Sequence, residues 1–408
     1  MPATSFPKSE IKILLLENIH PVATAAFKAE GFQVENVKGS LSESELAARL
    51  HDVHVLGIRS KTQITPKVID AGNRLLAVGA FCIGTNQING RYANQHGVPA
   101  FNAPFSNTRS VAELILAEVV MLSRHLGDRS REVHEGRWNK VAVGSHEVRG
   151  HTLGIVGYGH IGSQIGVLAE AFGMRVVFYD IVAKLPMGNN RSVDKLEELL
   201  AVSDFVTLHV PETVQTKNMI GAAELALMKP GACLLNASRG TVVVIEALAD
   251  AIRRGHVGGA AVDVYPDEPE GNSDGFGSAL RGLPNVILTP HIGGSTEEAQ
   301  EAIGREVSAA LIKHINTGAT TGAVNFPQIE LPFMKGTHRI LNVHRNVPGV
   351  LRDINKIVSD ANANIRAQVL ATDADIGYLI VDLDNDVSQD VKKGVAALDT
   401  NIRTRILF

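Results

Sequence analysis

Three polar side chains stand where apolar runs stop. "NVILTP" ends at Pro290, and His291 follows at once, before Gly293 and Gly294. "ACLLNAS" runs into Arg239, and "AAVDVY" runs into "PDEP", which carries Glu268. Imidazole changes charge nearest neutral pH, so it can take a proton and return it within a reaction cycle. A carboxylate behind it fixes the tautomer and stabilises the imidazolium. A guanidinium offers parallel N–H donors to the carboxylate of a small molecule. Plainer readings exist: a solvated turn histidine, a surface ion pair for Arg239, or Asp267 and Glu270 in place of Glu268.

The surrounding pattern decides between them. "GIVGYGHIG" places Gly157, Gly159 and Gly162 as G-x-G-x-x-G between an apolar strand and a helix, "IGSQIGVLAEAFG". The next strand, "RVVFYD", ends in Asp180. Strand, glycines, helix and distal acid together mark a dinucleotide site. Gly157 allows the tight turn, Gly159 lets backbone N–H groups approach a pyrophosphate, and Gly162 lets helix and strand pack closely. The helix N-terminus favours phosphate. Asp180 suits ribose hydroxyls and repels a 2′-phosphate, so NAD is expected over NADP. Ligands in open parallel sheets sit beyond the carboxyl ends of the strands. Arg239, Glu268 and His291 all stand there. The set suits oxidation of a hydroxyl to a carbonyl, with the hydride going to a nicotinamide and the proton to His291.

The elements that must position these groups follow from periodicity. The chain has 408 residues, which predicts more than one domain. Residues 11 to about 105 alternate strand-like runs ("IKILLLE", "FQVENV", "VHVLGIRS", "LLAVGAF", "VPAFNAP") with amphipathic pieces, implying parallel βαβ units. Asn107–Leu126 reads as one long helix with Ser106 or Asn107 as its cap. Residues 151–291 hold six further strand candidates. A helix follows, with Ser295 or Thr296 as cap. The last 70 or so residues read β-α-β-β-α-β, a ferredoxin-like α+β module. Net charge is −4 without long like-charge blocks, which argues against nucleic acid or a membrane as the main partner. Two distant cysteines, Cys82 and Cys233, read as buried and suggest neither a disulfide nor a metal site; no metal is expected. No signal peptide or membrane span is read, so a cytoplasmic location is expected.

"FCIGTNQI", "FNAPFSNTRSVAEL", "GIVGYGHIG", "NASRGTVV" and "LTPHIGGST" resemble the D-2-hydroxyacid dehydrogenases along nearly the whole chain, and in particular the phosphoglycerate-oxidising subgroup that carries a C-terminal ACT domain. The resemblance implies a Rossmann-like doubly wound sheet (107–294) inserted in a flavodoxin-like substrate domain (1–106 and 295–332), followed by a ferredoxin-like ACT domain (337–408). It implies Arg239, Glu268 and His291 as the catalytic set. It implies cofactor contacts at His160, Ile161, Ala237, Ser238, Arg239, Asp263, His291, Gly293 and Gly294. Arg59, Ser60, Lys61 and Asn107, with Arg239, would hold 3-phosphoglycerate. Relatives often have arginine where Lys61 stands and aspartate where Val244 stands; the second difference reads as a helix-capping change. The ACT motif "NVHRNVPGVLRDINKIVSDANANI" implies L-serine as effector at an interface between subunits, touching His344, Asn346 and Asn364. A homotetramer and a side activity on 2-oxoglutarate are further expectations. The competing readings are another dehydrogenase of the family, of glyoxylate or lactate type, and a non-catalytic NAD-sensing protein on the same fold.

Overall fold

The computed structural model describes residues 6–269, 275–334, 336–384 and 387–408. Glu270 lies outside them. The chain divides into two compact units. One is the chain up to Ser106 together with Gln300–Phe408, and the other is Asn107–Ala299.

The first unit opens with strands β1 (Lys12–Leu15), β2 (Gln33–Asn36), β3 (Val55–Ile58), β4 (Ala77–Ala80) and β5 (Ala100–Phe101), all parallel, in the order β2-β1-β3-β4-β5. That is the flavodoxin-like order. β3 and β4 are buried throughout, which is why they read as unbroken apolar runs. The helices between them start where the sequence supplies caps. Ser42 and Glu45 form a capping box, and Thr65 caps a helix whose first residue is Pro66. Helix Glu297–Thr317 places Ile303, Val307, Leu311 and Ile315 in the core of this unit. Gly79 admits it: a Cβ there would lie 2.7 Å from Leu311 and 2.9 Å from Val307.

The same unit ends in an antiparallel sheet. Its strands are β13 (His338–Arg345), β14 (Ile365–Thr372), β15 (Ile376–Leu383) and β16 (Asn401–Leu407), ordered β14-β15-β13-β16. With helices Val350–Asp360 and Ser388–Ala396 this is the expected ferredoxin-like module. It shares a core with the first sheet through Leu341, Val343, Ile376 and Tyr378. Arg339 is fully buried there, pairing with Asp382 at 2.7 Å and donating to the carbonyls of Thr317, Leu331 and Pro332. A buried ion pair is tolerated only when its remaining donors are used in this way.

The second unit carries β6 (Thr152–Val156), β7 (Arg175–Tyr179), β8 (Arg191–Ser192), β9 (Phe205–Leu208), β10 (Cys233–Asn236), β11 (Gly259–Val262) and β12 (Val286–Leu288). All pairings are parallel, in the order β12-β11-β10-β9-β6-β7-β8. The order reverses between β6 and β9, which opens a crevice beyond their carboxyl ends. Two expectations change in detail. The long helix ends at Ser123, because His125 takes a left-handed φ of 50°, and a second helix runs Leu126–His134. β8 is a seventh, two-residue strand too short to carry a periodic signal. Cys233 is buried, whereas Cys82 is only half-buried.

Val244 stands at the N-cap of helix Ile245–Arg253, and its side chain caps nothing. Val244→Asp should therefore stabilise the protein by about 1 kcal/mol, the usual worth of a cap. Urea unfolding of the two proteins would show it as a raised midpoint at unchanged slope.

Candidate active site

The glycine loop follows β6. Gly157 has φ 91°, and a Cβ on it would meet the His209 carbonyl oxygen at 2.3 Å. A Cβ on Gly162 would lie 2.2 Å from the Gly157 carbonyl oxygen, so the helix can start this close only over glycine. Above Gly159 a Cβ meets nothing within 4 Å. Helix His160–Ala171 starts there without a side-chain cap. Open space before an uncapped helix N-terminus fits a pyrophosphate.

Asp180 ends β7, and its carboxylate accepts from Tyr158 N (2.8 Å) and Val182 N (2.9 Å). These bonds tie it to the loop. Tyr158, which the pattern alone did not single out, stacks on Phe178 at 3.7 Å and accepts at its hydroxyl from Asn190 Nδ2 (2.7 Å). Ile181 beside Asp180 is 89% exposed, an apolar surface where a nucleoside base could lie.

The β10 end is clamped by Asn236, which is buried. Its Oδ1 accepts from Ser238 N and Oγ, and its Nδ2 donates to the Arg239 carbonyl (3.0 Å). Ala237 and Arg239 are half-buried and Ser238 is buried. Arg239 Nη1 donates to the Ser238 carbonyl (2.6 Å). A Cβ on Gly240 would fall 1.9 Å from the Tyr265 carbonyl carbon. The Arg239 turn thus packs directly on the segment that carries Glu268.

His291 and Glu268 meet. His291 Nδ1 lies 2.7 Å from Glu268 Oε2, and Glu268 Oε1 accepts from Tyr265 N at 3.1 Å. His291 has φ 56°, an uncommon conformation for a residue with a side chain. Asp263, 2% exposed, holds the turn behind it. Its Oδ1 accepts from Thr289 Oγ1 (2.6 Å) and Ile292 N (2.8 Å), and its Oδ2 from Gly293 N (2.8 Å). A Cβ on Gly294 would lie 2.6 Å from Asn107 Nδ2, so Asn107 adjoins this turn. The hydrogen bond to Glu268 holds His291 above its ordinary 6.5 against the opposing effect of burial, helped by the charges of Glu268 and Asp263. Burial pushes Glu268 up, but hydrogen bonds from His291 and Tyr265 N outweigh it and leave the carboxyl below its ordinary value. With Nδ1–H engaged, Nε2 is left to exchange a proton.

In the other unit, Arg59, Ser60 and Lys61 follow β3. Buried Glu17 accepts from Lys61 N (3.0 Å) and Thr62 N (2.8 Å), and Gln87 Nε2 donates to the Arg59 carbonyl (2.6 Å). Two residues not singled out by sequence thus shape this loop. The one local sign was the acid closing "IKILLLE". Among the described residues, neither Arg59 nor Lys61 enters an ion pair. In the C-terminal module His344 is buried, its Nδ1 2.8 Å from Asn342 Oδ1. Asn346 Nδ2 donates to the Asp373 carbonyl (2.6 Å). Asn364 is not with them. It sits by Asp384, at the far end of β15 from Gly377, which pairs with His344. The strand between is about 20 Å long.

Glu268→Gln should lower the His291 pKa, read from the pH titration of its ring protons by NMR. An unchanged titration would mean that the pair does not exist in solution. Gly240→Ala should destabilise by about 1–3 kcal/mol, the usual cost of overpacking, and should perturb the same His291 resonances.

Residues 116–293 match the family model described as D-isomer specific 2-hydroxyacid dehydrogenase, NAD binding domain, and residues 340–403 match an AHAS small subunit-like ACT domain. The chain is 56% identical over 407 residues to D-3-phosphoglycerate dehydrogenase of Dictyostelium discoideum, covering 100% of both. It is 50% identical over 411 residues to the enzyme of that name from Escherichia coli K12, again covering 100% of both. Among solved structures, D-lactate dehydrogenase from Aquifex aeolicus, complexed with NAD and lactic acid, superposes with a TM-score of 0.67 at 27% identity, over 78% of this chain and 100% of that one. The chain belongs to the D-2-hydroxyacid dehydrogenases, a family of NAD-dependent enzymes, in the D-3-phosphoglycerate dehydrogenase branch that carries an ACT domain.

Proposed function

We propose that this enzyme oxidises 3-phospho-D-glycerate to 3-phosphooxypyruvate with NAD, the step that opens L-serine synthesis. The observation that carries this reading is the His291–Glu268 hydrogen bond of 2.7 Å at the carboxyl ends of the strands, in the same sheet whose β6 leads into the glycine loop. The whole-length identity of 56% to a D-3-phosphoglycerate dehydrogenase supports the choice of substrate.

His291 Nε2 takes the proton of the C2 hydroxyl. Glu268 keeps Nδ1–H pointing at itself and stabilises the imidazolium. Arg239 pairs with the substrate carboxylate. NAD, when bound, supplies the hydride acceptor. Gly159, His160, Ile161 and Gly162 would hold its pyrophosphate, Asp180 its ribose, and Asp263, Gly293 and Gly294, with Ala237 and Ser238, its nicotinamide end. Arg59, Ser60, Lys61 and Asn107 complete recognition of the phosphorylated substrate. Residues 1–106 with 295–332 form the substrate domain, 107–294 the NAD domain and 337–408 the regulatory domain.

L-Serine is the effector that we assign to His344, Asn346 and Asn364. The distance from Asn364 to the other two within one chain supports a site shared by two copies. The assembly that we assign is a homotetramer; Trp138, 85% exposed, and Val143, 90% exposed, are apolar side chains that self-association could cover. No helix among the described residues is long and apolar enough to cross a membrane, in keeping with a cytoplasmic enzyme.

NADH oxidation with 3-phosphooxypyruvate, 2-oxoglutarate and pyruvate in parallel tests the substrate. Turnover with phosphooxypyruvate, quenched by serine, is expected. Turnover restricted to an unphosphorylated keto acid would overturn the roles of Arg59 and Lys61. His291→Ala should cost about 10²–10⁴-fold in turnover, the range for a general base, with cofactor affinity kept. In the oxidation direction the acid limb of the pH–rate profile should lie above the ordinary histidine value of 6.5, because His291 must be unprotonated. Glu268→Gln should move that limb to lower pH and slow the reaction. NADP supporting equal turnover would overturn the role of Asp180.

A further inference from the structure

Helix Thr108–Ser123 turns Val111, Ile115, Glu118 and Leu122 inward, each at most 3% exposed. Their spacing of three or four residues makes one stripe. Glu118 is the only carboxyl in it. Its Oε1 is buried without a hydrogen-bond partner. Buried polar atoms rarely stay orphaned without a reason. The charge that acts on it is Asp263, and Tyr265 also feels it. The apolar residues of this stripe share a core with Leu235 of β10, Ala261 of β11, Ile287 of β12, and Ile161, Ile165 and Ala169 of the helix after the glycine loop. Val111, one turn before Ile115 on this stripe, lies 3.4 Å from where a Cβ on Gly293 would be, and Asp263 Oδ2 lies 3.0 Å from the same point. The stripe therefore runs behind the turn that Asp263 holds.

A carboxyl buried in a dry site that also feels the negative charge of another does not ionise readily. Asp263 has three N–H and O–H donors; Glu118 Oε1 has none. The proton therefore sits on Glu118, whose buried Oε1 has no donor to favour its charged form. Burial first, and then the charge of Asp263, push Glu118 up to about 8 from its ordinary 4.5.

We propose that Glu118 is a positioning residue of the cofactor site: a neutral acid backing Asp263 whose loss of a proton favours the oxidised nicotinamide over the reduced one. This rests on the proposed placement of the nicotinamide end of NAD by Asp263. The oxidised ring carries a positive charge and the reduced ring none, so a second carboxylate behind Asp263 attracts one and not the other. By linkage, NAD⁺ draws the proton off Glu118 and NADH leaves it on.

The test measures dissociation constants of NAD⁺ and NADH by calorimetry from about pH 6 to about pH 9, on either side of the Glu118 transition. The preference for NAD⁺ over NADH should grow about fivefold or more with rising pH, the size of an ordinary coupling. In Glu118→Gln, which is neutral throughout, only the change that comes from His291, itself titrating above 6.5 in the same turn, should remain. The same pH dependence in both proteins overturns the inference while leaving the cofactor reading intact. Failure of either nucleotide to bind overturns the cofactor reading and the inference with it. A second readout needs no cofactor. The folded chain keeps the Glu118 proton to about pH 8, whereas the unfolded chain releases it near 4.5. Between these values the folded state binds more protons, so stability falls as pH rises. The melting temperature of Glu118→Gln relative to the parent should climb across that window; a constant difference overturns the proposal. If the variant does not fold, infrared spectra of the parent decide. A protonated-carboxyl band that persists at neutral pH and fades above about pH 8 supports the proposal, and its absence at neutral pH overturns it.

Discussion

A single buried carboxylate organises the site. Asp263 closes β11 and accepts from Thr289, Ile292 and Gly293 across the gap to the end of β12. Charge-assisted bonds to backbone amides are among the stronger ones available to a folded chain. They offset the cost of holding His291 at a left-handed φ, about 1–2 kcal/mol for a residue with a Cβ. In that conformation the imidazole leaves the strand axis and turns to Glu268. His291 is therefore oriented by two acids of different kinds. The dry one fixes its backbone, and the half-exposed one fixes its ring.

Close backbone approach is the second condition. Gly157, Gly162 and Gly240 each lie where a Cβ would strike a main-chain atom of the next segment. At the first, the loop after β6 is brought against His209 beyond β9, and at the second the helix start is brought against that loop. At the third, the Arg239 turn is seated on Tyr265 and Pro266, and so on the segment leading to Glu268. The parallel sheet sets the spacing of these ends, and the glycines let the loops reach one another. Such contacts have little tolerance, because interiors are packed as densely as organic crystals.

Much of this was legible in the amino-acid sequence because it is local. The glycine spacing, the acid ending β7 and the polar residues ending β10 and β12 all declare themselves within a few residues. The α+β module did so through its period and its turn before Val350. Long-range partners did not. Glu17 holds amides 44 and 45 residues away, and nothing near Lys61 announces it. Asp263 acts on backbone amides, which have no letter in the sequence. Glu118 sits in a helix whose period reads as amphipathic, where one acid passes for the solvent side. The break at His125 lacks a glycine or proline to mark it, and β8 is shorter than any period.

The ends of β15 carry a consequence for dose and dilution. Asn364 stands at one end and His344 with Asn346 at the other. A small molecule that touches all three must bridge two chains. Such a molecule is an adhesive as well as a signal: occupancy and assembly become one equilibrium, and each strengthens the other. Under the assignment proposed above, the response to such an effector would be a property of the protein's own concentration, sharp where chains are abundant and blunted where they are scarce.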